Sequence, residues 1–149
     1  MRACFIGHRE LVEEFKVCEK IDDIYQILPF FGIKSCIVND FGYFSKYSMS
    51  MLSSMRISNL IEELILCPLN NDIDNILQTS SYANIDGIFT INYSKFCKSQ
   101  SLNDEEKLNI VNNYIIDLSD LVIMYVNTNH KNTASYKAYI YAQSKIKTL

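Results

Sequence analysis

Short apolar runs alternate with segments of helical period along the whole of this chain. The runs are Ala3 to Ile6, Ser35 to Val38, Leu64 to Pro68, Gly87 to Ile91 and Leu121 to Val126. Continuous apolar runs are typical of parallel strands buried on both faces, and the segments between them supply the helical crossovers that parallel strands require. The alternation therefore predicts an α/β fold with a mostly parallel sheet of about five strands and helices on both faces.

Apolar side chains spaced by three or four residues predict four longer helices. The first helix carries the stripe Leu11, Phe15, Cys18, Ile21, Tyr25 and Leu28, and Pro29 and Gly32 close it. The second covers Phe44 to Ile57, with Met49, Met51, Leu52 and Met55 as core residues. The third begins after the N-cap Asn103 and presents Leu108, Val111, Ile115 and Leu118. The fourth runs from Thr133 to Lys145 and brings Ala134, Ala138 and Ala142 to one face, whereas residues 69–84 read as a short helix with loops.

Length and composition indicate one globular domain, residues 1–149, of the Rossmann-like three-layer sandwich type. The net charge of −3 and the pI near 5.3 argue against nucleic acid as the main partner. No apolar stretch reaches the roughly 18 to 20 residues of a membrane span, and no signal-like segment opens the sequence. We therefore expect no membrane association and a cytoplasmic location.

The cysteines and histidines do not have the spacing of a metal site, and we expect no cofactor. Cys4, Cys18, Cys36, Cys67 and Cys97 are widely spaced, mostly within apolar runs, and are expected to be buried reduced thiols. His8 and His130 are the only histidines, and neither lies at zinc-ligand spacing from a cysteine.

Three loops follow predicted strands and precede predicted helices: Gly7-His8-Arg9, Asn39 to Tyr43, and Asn127 to Thr133. In open parallel sheets, ligands bind outside the carboxyl ends of the strands. The first loop suits an anion, because a helix N-terminus offers free N–H groups and Arg9 could add a guanidinium clamp. The alternative is that Gly7 only permits a tight turn. Asn39, Asp40, Asn132 and Thr133 could likewise serve only as caps and turns.

The loops resemble those of the SLOG superfamily, which groups the DNA-processing protein A fold with the Lonely Guy phosphoribohydrolases. Cys4 to Arg9 is similar to the C-F-T-G-H-R start of a small stand-alone bacterial branch. The branch's second loop, G-G-A-x-G-F-D, corresponds in position to Asn39 to Ser45, and Phe44 matches the phenylalanine of that loop. Val111 to Asp120 resembles the block R-N-R-Y-M-V-D-x-S-D. Lys131-Asn132-Thr133, followed by Tyr141-Ala142, resembles a G-G-T loop and its helix.

The resemblance implies that the protein binds a nucleotide or a nucleotide-derived small molecule and acts as a sensor or a sequestering module. Its phosphate would bind at Gly7, His8 and Arg9, and a base could stack on Tyr43 or Phe44. The remaining ligand-binding candidates are Asn39, Asp40, Gly42, Asn112, Asn132 and Thr133.

Two alternatives stay open. One is hydrolysis of a nucleoside monophosphate at its N-glycosidic bond, with Asp40 or Asp117 as the catalytic carboxylate. The chain lacks the family's arginines at positions 111 and 113 and its G-G-x-G-T-x-x-E glutamate, so the sequence favours binding over catalysis. The other is an interaction or scaffold protein without a ligand. Members of this fold often pair, so the resemblance also implies a homodimer.

Overall fold

The computed structural model describes residues 1–10, 14–78, 84–96 and 101–145, with the backbone alone for residues 14–17 and 77. The strands are β1 (Arg2–Gly7), β2 (Ser35–Asn39), β3 (Glu63–Cys67), β4 (Gly87–Ile88) and β5 (Leu121–Tyr125). The helices are α1 (Glu14–Ile27), α2 (Tyr43–Ile57), α3 (Ile73–Gln78), α4 (Asp104–Asp117) and α5 (Ala134–Lys145). Short 3₁₀ helices cover Leu28–Phe31 and Tyr93–Lys95.

All five strands are parallel and form one sheet in the order β4-β3-β2-β1-β5. From β1 the chain proceeds through β2 and β3 to the β4 edge, and it then crosses back to place β5 on the other side of β1. The carboxyl end of β1 pairs with β5 through Gly7 and Tyr125. This topology confirms the predicted Rossmann-like α/β sandwich.

The two faces of the sheet are covered by different helices. Alternate residues of β1 point to opposite sides, so Ala3 and Phe5 contribute to one core and Cys4 and Ile6 to the other. The first core contains residues from α1 and α2, such as Tyr25 and Leu52. The second contains residues from α4 and α5. The helices that the apolar stripes predicted therefore pack as a layer on each face.

Most predicted element boundaries agree with the structure to within one or two residues. The predicted run Gly87 to Ile91 is the exception, because β4 spans only Gly87–Ile88. β4 is an edge strand with a single neighbour, and the chain leaves the sheet after Phe89 donates its N–H to the Leu66 carbonyl. The first helix ends as expected, in the Leu28–Phe31 turn with Gly32 at φ 72°. The predicted positions Leu11 and Cys97 and the side chain of Phe15 lie outside the described part.

Cys4, Cys36 and Cys67 are buried free thiols, and Cys18 is partly exposed. Burial raises the pKa of each buried thiol to about 12, so these groups are protonated near neutral pH. Among the described helices, none has the length and apolar character needed to cross a membrane.

Candidate functional site

An open cleft of about 330 Å³ lies at the carboxyl ends of the strands, beside the point where the strand order reverses at β1. At this point the connections from β1 and β5 lead to opposite faces of the sheet, and the space between them is where open α/β sheets bind ligands. The lining residues come from the turn after β1, the loop before α2 and the first turns of α4 and α5: Gly7, His8, Arg9, Phe41, Asp104, Glu105, Leu108, Thr133, Ala134 and Ser135.

The turn after β1 is held by β5 and by the loop that follows it. The His8 N–H donates to the Tyr125 carbonyl at 3.1 Å, so this N–H is not free for a phosphate. The Nε2 atom of His8 accepts a hydrogen bond from the Asn127 N–H. Burial and the nearby His130, whose ring centroid lies 6.3 Å away, lower the pKa of His8. His8 is therefore a neutral side chain near pH 7, with Nε2 unprotonated.

Arg9 supplies the positive charge of the cleft. Its guanidinium carbon lies 5.4 Å from the Phe41 ring centroid, and within the described ranges no carboxylate forms an ion pair with it. The Arg9 carbonyl accepts the Tyr43 N–H at 2.8 Å, which ties the backbone of this turn to the start of α2. The backbone is thus anchored while the guanidinium remains available to an anion.

The two glycines near the cleft are required by packing. A Cβ at Gly7 would overlap the ring of Phe44, which is buried and stacks on Tyr125 at 5.9 Å between centroids. Gly42 has φ 89°, and a Cβ there would lie 2.8 Å from the Arg9 Cα. Because Phe44 is 1% exposed, it is not available to stack on a base; Phe41 is the aromatic ring at the cleft.

The first turn of α5 presents unpaired hydrogen-bond donors to the cleft. Thr133 acts as the N-cap, because its hydroxyl oxygen accepts the Tyr136 N–H at 3.2 Å. Among the described residues, no group accepts a hydrogen bond from the N–H of Ala134 or Ser135. Ser135 is 5% exposed and lines the cleft, and its hydroxyl has no partner in the same set of residues. Asn132, by contrast, is exposed and is not part of the lining.

The first turn of α4 brings the carboxylates Asp104 and Glu105 to the same cleft. Asn103 caps this helix by accepting the Glu106 N–H at 2.9 Å, and the Glu106 carboxylate accepts the Asn103 N–H in return. Glu105 also lies 3.5 Å from the Lys137 ammonium. The predicted cap is confirmed. Asp104, Glu105 and Ser135 line the cleft without having been predicted as ligand contacts, and Phe41 lies in the loop that was predicted to face a ligand but was not singled out within it.

Asn39 and Asn112 form a buried pair that supports the cleft without lining it. The Asn39 side-chain amide donates to the Asn112 Oδ1 at 2.9 Å, and both residues are at most 3% exposed. The Oδ1 atom of Asn39 accepts hydrogen bonds from the Phe41 N–H and the Ser45 hydroxyl. The geometry therefore gives these two predicted ligand contacts a structural role.

Neither predicted catalytic carboxylate lines the cleft. Asp40 accepts the Leu69 N–H at 2.8 Å, and burial raises the pKa of its carboxyl. Asp117 accepts the Tyr141 hydroxyl at 2.9 Å and lies 3.2 Å from the Lys145 ammonium. It ends the helix that Asp104 begins, which places it about 20 Å from the cleft along the helix axis. Tyr43 is 62% exposed beside Lys46 and lies outside the lining.

The fold and the cleft define the class of the protein: a Rossmann-like α/β sandwich with an open cleft where the strand order reverses. No protein-family model matches the chain, and no curated protein matches it, so these comparisons assign the chain to no family.

Proposed function

We propose that this protein is a SLOG-like module that binds a nucleotide or a nucleotide-derived small molecule in the cleft, as a sensor or a sequestering protein. The phosphate would contact the Arg9 guanidinium and the first turn of α5. The observation that carries the proposal is the set of unpaired donors at one cleft: the Arg9 guanidinium, the N–H groups of Ala134 and Ser135 and the Ser135 hydroxyl, each without an acceptor among the described residues. A helix N-terminus with free N–H groups and a nearby guanidinium is the donor arrangement that phosphate groups prefer.

The size and lining of the cleft are compatible with such a ligand. A volume of about 330 Å³ falls at the lower end of the range of small-molecule sites. Phe41 and Leu108 provide apolar surface for a base, beside the polar groups of α4 and α5. The two carboxylates that the sequence offered for N-glycoside hydrolysis have other roles. Asp40 accepts a hydrogen bond from the Leu69 N–H, and Asp117 lies at the far end of α4, where it accepts one from the Tyr141 hydroxyl.

Substitution of Arg9 by alanine tests the proposal. Isothermal titration against nucleoside mono-, di- and triphosphates, NAD and ADP-ribose would identify a ligand for the unmodified protein. For that ligand, Arg9→Ala should weaken binding by about 1 to 3 kcal/mol, or roughly five- to 150-fold in Kd, because a charge-assisted hydrogen bond is lost.

The matched control is Lys20→Ala, which removes an exposed positive charge on α1 that does not line the cleft. It should leave the affinity unchanged. Equal affinities for the Arg9 variant, the control and the unmodified protein would refute the phosphate position. Absence of binding across the panel would favour the scaffold alternative.

A further inference from the structure

The loop that enters α5, residues 127–133, is attached to the turn after β1 through the side chain of His8. The Asn127 N–H donates to the His8 Nε2, and the backbone N–H of His8 is itself bonded to the Tyr125 carbonyl. Residues 127–132 are all exposed, so burial in the core does not hold this part of the loop. The imidazole therefore joins the first residue of the loop to the sheet.

Further hydrogen bonds extend this attachment along the loop to α5. The Asn127 Oδ1 accepts the Asn129 N–H at 3.0 Å, and the Asn127 carbonyl accepts the His130 N–H at 3.0 Å. The Thr133 hydroxyl donates to the His130 carbonyl at 2.9 Å and accepts the Tyr136 N–H, which caps the helix. The conformation of the loop and of the α5 cap therefore depends on the position of Asn127.

The acceptor role of Nε2 makes the attachment sensitive to protonation. An imidazolium carries a hydrogen on both ring nitrogens and accepts no hydrogen bond, so its Nε2–H and the Asn127 N–H would face each other as two donors. Burial and His130 already lower the pKa of the attached His8. A released His8 takes up its proton at the ordinary pKa of about 6.5. The attached state is therefore fully favoured above that pH, and it loses free energy relative to the released state as the pH falls below it.

Charged and titratable groups lie around His8 on several elements. They are Arg9 on its own turn, Tyr125 on β5, Asp104 and Glu105 on α4, His130 and Lys131 in the loop, and Lys137 on α5. α2 faces the turn with the Phe44 ring, which does not titrate. The α4 carboxylates favour a proton on His8, whereas Arg9 and His130 oppose it. Within the described ranges no carboxylate forms an ion pair with His8, so no counter-charge holds an imidazolium in the attached position.

We propose that His8 is a pH-sensitive switch, which holds the loop 127–133 on the turn after β1 at neutral pH and releases the loop on acidification. Release also frees the cap of α5, whose first turn forms one wall of the cleft. The geometry of the cleft is then under the control of pH. The step takes place in the protein without a ligand, so it does not depend on the proposed function.

The first test is an NMR titration of the ligand-free ¹⁵N-labelled protein from about pH 8 to about pH 5, a range that includes the ordinary histidine pKa. We expect the amide signals of Asn127, Asn129 and His130 to shift with the midpoint of the His8 ring, below about pH 6.5. The ratio of released to attached loop should rise by up to about tenfold per pH unit in this window. Loop amides that stay unchanged while the His8 ring titrates would overturn the proposal, as would amides that follow the midpoint of the His130 ring.

The second test uses two substitutions of His8. His8→Gln keeps an acceptor, its side-chain carbonyl, and cannot be protonated, so the loop signals should stay in the neutral-pH position throughout the titration. His8→Ala removes the acceptor, so these signals should take the acid position at every pH. A pH response in His8→Gln equal to that of the unmodified protein would refute the switch.

The matched control is His130→Gln, which removes the other histidine and leaves the Asn127–His8 hydrogen bond in place. The loop response should remain, with its midpoint at a higher pH, because His130 no longer lowers the pKa of His8. Loss of the loop response in this control, with circular dichroism like that of the unmodified protein, would assign the effect to His130 and contradict the proposal. If His8→Ala does not fold, the His8→Gln and His130→Gln variants still decide between these outcomes.

Discussion

Gly7 illustrates how one residue couples the cleft to the hydrophobic core. The absence of a Cβ lets the Phe44 ring lie directly against the end of β1, where it also stacks on Tyr125 of β5. The same turn carries His8 and Arg9 into the cleft. The packing of Phe44 therefore fixes the backbone from which the proposed phosphate contacts extend.

Replacement of Gly7 by alanine should destabilise the protein by about 1 to 3 kcal/mol, because a new methyl group in a filled space forces the aromatic ring away from Tyr125. Urea unfolding followed by circular dichroism measures this change. Gly87→Ala is the matched control, since a Cβ at Gly87 meets no atom within 4 Å and its φ is not positive. A Gly7→Ala protein with the urea midpoint of the unmodified protein would contradict the account of this contact.

At the residue scale, the sequence indicated that the Gly7-His8-Arg9 turn lies beside a cleft, but it also offered Phe44 as a stacking surface for a base. The second expectation is not met, because the Phe44 ring is buried against Gly7. A pattern along the chain cannot reveal which distant side chain fills the space beside a glycine.

Among the elements, α4 is joined to the end of β2 by the buried Asn39–Asn112 pair. The link crosses from the sheet to the helix whose first turn lines the cleft. The two amide side chains are hydrogen-bonded to each other where little water reaches them. The pair therefore fixes the position of α4 against the sheet.

Substitution of Asn112 by alanine leaves the Asn39 side-chain amide without its acceptor and should cost about 1 to 3 kcal/mol of unfolding free energy. Asn113→Ala is the control, because Asn113 is half-buried on the same helix and its side chain makes no hydrogen bond with the described residues. Chemical denaturation of both variants gives the comparison. Equal stability of the two would contradict the structural role of the pair.

Element positions were the part of the structure that the sequence predicted best. The apolar runs identify the strands because burial on both faces requires continuous apolar side chains. The Asn103 cap and the Gly32 terminus mark helix ends through local backbone chemistry that operates within a few residues. The predicted length of β4 was wrong. An edge strand pairs with a single neighbour, so its length depends on where β3 lies in the tertiary structure, which the local sequence does not determine.

At the scale of the whole molecule, the order of the strands creates the cleft. The crossing back from β4 to β5 sends α4 and α5 to one face, and both helices begin at the carboxyl edge beside the β1 turn. The direction of α4 in a parallel sheet implies that its acidic first turn lies at this edge, which is the signal that could have identified Asp104 and Glu105. The same direction places Asp117 at the other edge, where it meets Tyr141 and Lys145.

The most direct test of the central claim, that this cleft binds a nucleotide phosphate, is an NMR titration of the ¹⁵N-labelled protein with adenosine 5′-monophosphate. We expect the largest amide shifts at Arg9, Ala134 and Ser135, with little change at Asp117. Absence of saturable shifts at these three amides would contradict the account. So would shifts centred on a different part of the surface, an apolar groove that Tyr25, Phe30 and Met55 line.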